Sequence, residues 1–170
     1  METKRHYVRH RQYFFTLFTA RQRPHFASQH SVNVLRAAFA QAMRKYPFEM
    51  DAVAILPDHL HCLWTLPAGD EETNRRWRVI KFWFSNHCEQ ALRREGEPLW
   101  SNRFWEHPIR DEKDYQQHID FIHYNPVRHA LADSPADWPH SSFERYVQMG
   151  WLEPGWGETE PAIAEWVGGE

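Results

Sequence analysis

Two apolar runs, Phe48–Leu56 and His59–Leu66, are separated only by Pro57 and Asp58. A link that short joins two strands only as an antiparallel hairpin, so this part of the chain has little choice of topology. A further strand is expected at Gln12–Thr19 (QYFFTLFT), rich in aromatic residues and threonine, and another at Trp100–Arg110. Between them lie segments of helical spacing. Ser31 is placed to cap Val32–Lys45, where Val34, Leu35, Ala38, Phe39 and Ala42 share a face and Pro47 ends the run. Glu71–Arg94 carries Trp77, Ile80, Lys81 and Phe84 along one side before Gly96 and Pro98 break it. Lys113–Tyr124 reads as a third helix, interrupted at Asn125-Pro126 because the residue before proline is pushed out of the helical region. The order β-α-β-β-α-β plus a helix predicts an α+β, ferredoxin-like split βαβ fold: an antiparallel sheet with two helices on one face, an additional helix and an irregular C-terminal extension.

A chain of 170 residues, 42% hydrophobic and 25% charged, suits one core-bearing domain, expected over residues 1–150 with an acidic tail at 151–170, mobile from Gly155. No apolar run reaches the ~18 residues of a membrane span, and the basic, aromatic N-terminus lacks a signal-peptide core, which points to a cytoplasmic chain without a membrane partner. Cys62 and Cys88 make neither a disulfide framework nor a four-thiolate zinc site. A zinc module of His59, His61, Cys62 and Cys88 is disfavoured too, since Cys62 points away from His61 across the strand. The net charge of −3 hides an asymmetry of +8 over residues 1–47 and −5 over residues 150–170. A basic end of this kind hints at a polyanion partner, although it also suits a merely solvated surface.

His59 and His61 alternate on a strand, so both imidazoles project from one face and can grip one metal ion, while Leu60 turns to the other face. In a chain with 12 histidines such a pair also arises by accident. On the helix Tyr115–Asn125 (YQQHIDFIHYN), Phe121 and Asn125 lie four apart on one face. The Asn125 amide oxygen can complete a site with two histidines, but an asparagine before proline is also a common turn former. His107, His118 and His123 read as surface histidines, and Trp105 and Trp138 as packing residues rather than stacking platforms.

The blocks LPDHLHCLWTLPAGD (56–70), RW with IKFWFS (76–85), RFWEHPIRDEKDYQQHIDFIHYNPVRHAL (103–131) and DWPHSSFERYV (137–147) together resemble the REP-associated tyrosine transposases, within the single-tyrosine HUH endonucleases. The resemblance spans most of the chain from Leu56 to Val147 and is looser before it. It implies a Mg²⁺ or Mn²⁺ ion held by His59, His61 and Asn125, imidazole leaning toward Mn²⁺. It also implies a tyrosine that attacks the scissile phosphate to give a 5′-phosphotyrosine link and a free 3′-hydroxyl. The partner it implies is single-stranded DNA beside a palindromic REP hairpin. It leaves monomer or dimer open, since related insertion-sequence transposases exchange the tyrosine helix between two copies.

One position departs. Where the family has its nucleophile, four residues before Asn125, this chain has Phe121, which has no hydroxyl. Three accounts compete: a Tyr→Phe variant made to trap uncleaved DNA, a natural copy that binds without cleaving, or service by Tyr124. Tyr124 lies roughly 60° from Phe121 around the helix, poorly aligned for the same attack. Phe121 is therefore expected to face the histidine pair. For DNA contacts the candidates are Arg5, Arg9 and Arg11 before the first strand, Arg75, Arg76, Arg78 and Lys81 on the second helix, and Arg103 and Arg128 within the family blocks. The acidic tail is expected to compete with DNA for the basic groove.

Overall fold

The computed structural model describes residues 3–170. Four strands, β1 (Gln12–Thr19), β2 (Glu49–Ile55), β3 (His59–Thr65) and β4 (Trp100–Pro108), form one antiparallel sheet in the order β2-β3-β1-β4. Helices α1 (Gln29–Lys45) and α2 (Thr73–His87) pack together on one face, and α3 (Glu112–Arg128) crosses β2 and β3 on the other. This is the split βαβ arrangement with its additional helix. Pairing of Thr16 with His61 and of Phe18 with His59 puts these four side chains on the α3 face. The opposite face carries Phe15, Leu17, Leu60, Cys62 and Trp64 into the larger core beneath α1 and α2, where Cys88 is also buried, and both thiols are free.

Several boundaries differ from the sequence reading. The first helix begins at Gln29 because Ser28, not Ser31, is the cap; its hydroxyl accepts from the Ser31 N–H at 3.0 Å. The second stops at His87, followed by a short 3-10 turn at Gln90–Leu92, well before Arg94. The third does not break at Pro126. It runs on to Arg128, and the Asn125 carbonyl still accepts from the His129 N–H at 3.1 Å. Proline removes only its own N–H donor, and the buried face of α3, with Ile119, Ile122 and Pro126, keeps the helix pinned to the sheet. Beyond Leu131 a short fourth helix, α4 (Phe143–Gln148), seats Phe143 and Tyr146 in the core. The C-terminal stretch is not a loose tail: Trp151, Leu152, Ile163 and Val167 join the core on the α3 face.

Asp51 ties this half together. Buried on β2, it accepts from Thr65 Oγ1 at 2.8 Å, Tyr115 OH at 2.9 Å and Gln12 Nε2 at 3.2 Å, while its backbone carbonyl accepts from Tyr146 OH at 2.8 Å. Burial pushes its carboxyl up to about 6, against the opposing pull of those hydrogen bonds and of Arg5. A raised carboxyl stabilises the fold fully below its unfolded pKa of about 4, and that contribution is lost as the pH rises through about 6, a change of roughly 3 kcal/mol. Urea titrations should therefore show Asp51→Asn gaining stability relative to the parent between pH 4 and 7, because the amide never ionises. A constant difference across that range would contradict the assignment.

Candidate active site

The histidine pair is oriented from behind. The His59 Nδ1–H donates to Asp58 Oδ1 at 2.7 Å, which leaves Nε2 facing the cleft. Thr16 Oγ1 donates to the Gly168 carbonyl at 2.6 Å and lies 2.7 Å from His61 Nδ1. With its only proton so used, the hydroxyl accepts from the His61 Nδ1–H, and His61 Nε2 also faces the cleft. Asn125 arrives from α3, with Oδ1 3.3 Å from His59 Nε2. His59, His61 and Asn125 are all buried and converge on one point.

That point holds the last side chain of the chain. Glu170 Oε1 lies 2.6 Å from His61 Nε2, 3.2 Å from His59 Nε2, 3.1 Å from Asn125 Nδ2 and 3.0 Å from His129 Nε2; Oε2 lies 3.4 Å from Arg128 Nε. Burial would raise the Glu170 carboxyl, but the hydrogen bonds from His129, His59 and His61 outweigh it and hold it well below the usual carboxylate range. Burial also lowers His59, yet the Glu170 and Asp58 carboxylates leave it raised. His61 is enclosed completely, and burial brings it down to about 4 in spite of Glu170. His61 Nε2 and Glu170 Oε1, 2.6 Å apart, are within hydrogen-bond distance, so a proton on Nε2 joins them. Imidazole, amide and carboxylate donors at one centre are the set a divalent ion such as Mn²⁺ takes, so the residues fit the metal.

Phe121 is buried beside this centre, its ring 5.0 Å from that of His61 and 6.0 Å from that of Phe14. The tip of the ring abuts Gly168, where a β-carbon would come within 2.1 Å of Cζ. Tyr124 lines a small recess together with Phe121, Arg128, Glu160, Pro161 and Ile163, and neither His59 nor His61 borders it. The expectation that Phe121, not Tyr124, faces the histidine pair agrees with this geometry.

Two curated relatives are a REP-associated tyrosine transposase of Escherichia coli K12, 39% identical over 155 residues with 91% of this chain and 90% of the relative covered, and a Haemophilus influenzae protein of the same family name, 38% identical over 155 residues with 85% and 86% covered. The chain belongs to the REP-associated tyrosine transposases. No family profile matches it. A solved REP-associated tyrosine transposase bound to a REP hairpin superimposes with a TM-score of 0.78 at 37% identity, covering 97% of each chain. A transposase structure from Deinococcus radiodurans (TM-score 0.50, 16% identity, 68% of this chain and 92% of that one covered) supports the fold alone.

As a REP-associated tyrosine transposase the chain spreads its candidate DNA-binding cations unevenly. Arg103 stacks over Phe18, 4.3 Å from the ring centroid, and Arg128 lies over Phe121 at 5.4 Å, so both border the centre. Arg78 and Lys81 line an open groove with Asn74, Trp77 and Phe104. Arg75 covers Tyr46 and pairs with Asp70 at 2.9 Å. Arg76 is no surface cation: fully buried, it is spent on Asp70 and on the carbonyls of Tyr46, Pro47 and Glu72. Those bonds draw Asp70 well below the usual carboxylate range. Arg5 sits at the far end of the sheet, 2.6 Å from Glu49; Arg11 donates to the Leu66 carbonyl and Arg9 lies against His10.

His118 and His123 are buried, not surface, residues. His118 stacks on His107, and His107 Nε2 lies 2.8 Å from Asp114 Oδ2. This trio is a brace between β4 and α3, because the Arg110 N–H and guanidinium already neutralise the same oxygen. Trp138 packs as expected, donating to the Ile55 carbonyl at 3.1 Å, whereas Trp105 is 39% exposed on the edge strand. Sequence reasoning missed Asp58, Thr16, His129 and Glu170. The spacing that selected Asn125 also reaches His129, four residues on; nothing local marks Glu170. Among the described residues no helix is long and apolar enough to cross a membrane.

Proposed function

We propose that this chain binds single-stranded DNA carrying a palindromic REP hairpin, on a scaffold built to nick and rejoin that strand, and that Phe121 leaves it cleavage-deficient. The observation that carries the reading is the position of Phe121: its ring lies 5.0 Å from that of His61, with its tip against Gly168, beside the centre that a nucleophilic oxygen would serve. His59 and His61 through Nε2, with Asn125 through Oδ1, would hold Mg²⁺ or Mn²⁺. Such an ion, when bound, supplies positive charge to a scissile phosphate oxygen. The chain's own groups do the rest. Asp58 and Thr16 fix the imidazoles, and Arg103 and Arg128 are placed to hold phosphates either side. In a tyrosine-bearing homologue the phenolic oxygen forms the O–P bond, the P–O3′ bond breaks, and the 3′-oxygen leaves and takes up a proton.

A gel-shift titration with a labelled REP hairpin bearing an unpaired flank tests the reading. Binding without any covalent adduct is expected, with an affinity that falls steeply with salt. Arg78→Ala and Lys81→Ala should each weaken binding and lower the salt slope by about one. Equal affinity for a scrambled duplex would overturn the hairpin assignment.

A further inference from the structure

The final segment crosses the site face between α3 and β4 in a defined order. Gln117 brackets its start, donating from Nε2 to the Ala162 carbonyl at 3.0 Å and accepting from the Ala164 N–H at 2.8 Å. The Trp166 indole then lies against the rings of His107 (5.5 Å) and His118 (5.7 Å), with the Arg110 guanidinium 4.8 Å over it. Val167 turns into the core. Gly168 and Gly169, at φ of 95° and 64°, pass so close to Phe121 and to the Trp105 indole that a β-carbon would come within 2.1 and 2.3 Å of those rings. Glu170 ends the segment at the histidine centre.

Outward from the centre, the groups are an anion, a flexible backbone laid flat on an indole, and a planar ring held under a guanidinium. A single strand of DNA presents the same succession of phosphate, sugar and base. Trp166 and Glu170 lie four positions apart in the chain, at most about 14 Å when extended, the span of a short run of nucleotides. Trp166 is itself 48% exposed, so its seat is a shallow platform open at one side rather than a sealed core pocket.

We propose that the seat of Trp166, formed by the His107 ring and the Arg110 guanidinium with Trp105 beside it, is a binding subsite for an unpaired nucleobase of the strand adjoining the phosphate at the His59/His61 centre. Trp166 stands in for that base when the tail is closed. This inference rests on the reading of the chain as a single-strand-binding protein. Stacking on an aromatic or guanidinium face tolerates any base, so the subsite sets the path of the strand rather than its sequence.

The test uses full-length protein in metal-free buffer and two probes: a single-stranded oligonucleotide carrying 2-aminopurine, and the bare hairpin. Trp166→Ala with Glu170→Gln loosens the tail and should tighten oligonucleotide binding about tenfold, with 2-aminopurine quenched on stacking. Adding Arg110→Ala, which removes a largely exposed side chain, should erase both the gain and the quenching while hairpin affinity stays unchanged. Trp105→Ala should reduce both in part. A gain that survives Arg110→Ala and Trp105→Ala, or no gain in loosened protein that melts like the parent, overturns the subsite. Failure of every variant to bind the hairpin overturns the wider reading instead, and the oligonucleotide probe still decides the subsite.

Discussion

Phe121→Tyr is expected to turn a chain that forms no covalent DNA adduct into one that does. With labelled REP hairpin and Mn²⁺, the product is a band that survives denaturing electrophoresis. The substitution adds one oxygen at the ring tip of a side chain already 5.0 Å, ring to ring, from His61 and four residues before Asn125 on the same helix. Removing a catalytic nucleophile costs on the order of 10⁴-fold or more in rate, so restoring one should raise adduct formation from background by at least about 10³-fold. Tyr124→Phe in that variant should change little, since the recess Tyr124 lines with Phe121, Glu160 and Pro161 is bordered by neither His59 nor His61. Tight hairpin binding by the Phe121→Tyr variant without an adduct would show a binding protein that has lost cleavage beyond this one position. The ring tip also abuts Gly168, so the new hydroxyl and the closed tail compete for the same space. The single variant should therefore react slowly.

The strands were legible because their limits are written in short-range chemistry. Pro57-Asp58 closes one hairpin, and the alternation of His59 and His61 fixes which face they share. The convergence of His59, His61 and Asn125 was legible for the same reason: two residues alternate on a strand, and the third follows Phe121 by one helical turn. Helix ends were less so, since Ser28 and Ser31 are equally good caps on sequence and only the backbone decides between them. Pro126 misled because a local rule was outweighed by packing of α3 on the sheet. His118 and His123 read as polar, yet both are buried with specific partners, Asp114 and Ser142. The contact between Glu170 and His61 spans 109 residues and leaves no local trace. Composition there showed only negative charge, which was read as a mobile tail competing with DNA for the basic groove. In the fold, four nitrogen-bearing side chains surround one oxygen of Glu170.

Glu170→Gln should open that arrangement. The carboxylate meets His61, His59, His129 and Arg128, and charge-assisted contacts of this kind contribute about 1.5–3 kcal/mol each where buried, less for the exposed Arg128. An amide keeps the shape but loses the charge. Because the carboxyl is held well below its usual range, it stays anionic throughout the neutral region, and mild acid does not substitute for the mutation. Val167 and Trp166 still hold the segment, so the tail loosens rather than leaves. In the Phe121→Tyr background, Glu170→Gln is expected to raise the rate of adduct formation by roughly 10- to 100-fold, because a DNA phosphate no longer competes with a charged side chain for the same four groups. The two substitutions should be more than additive on a logarithmic scale, since both act on the space between Phe121 and Gly168. Equal adduct rates with and without Glu170→Gln would mean that the tail leaves the centre freely whenever DNA arrives, and that the carboxylate is no barrier to the strand.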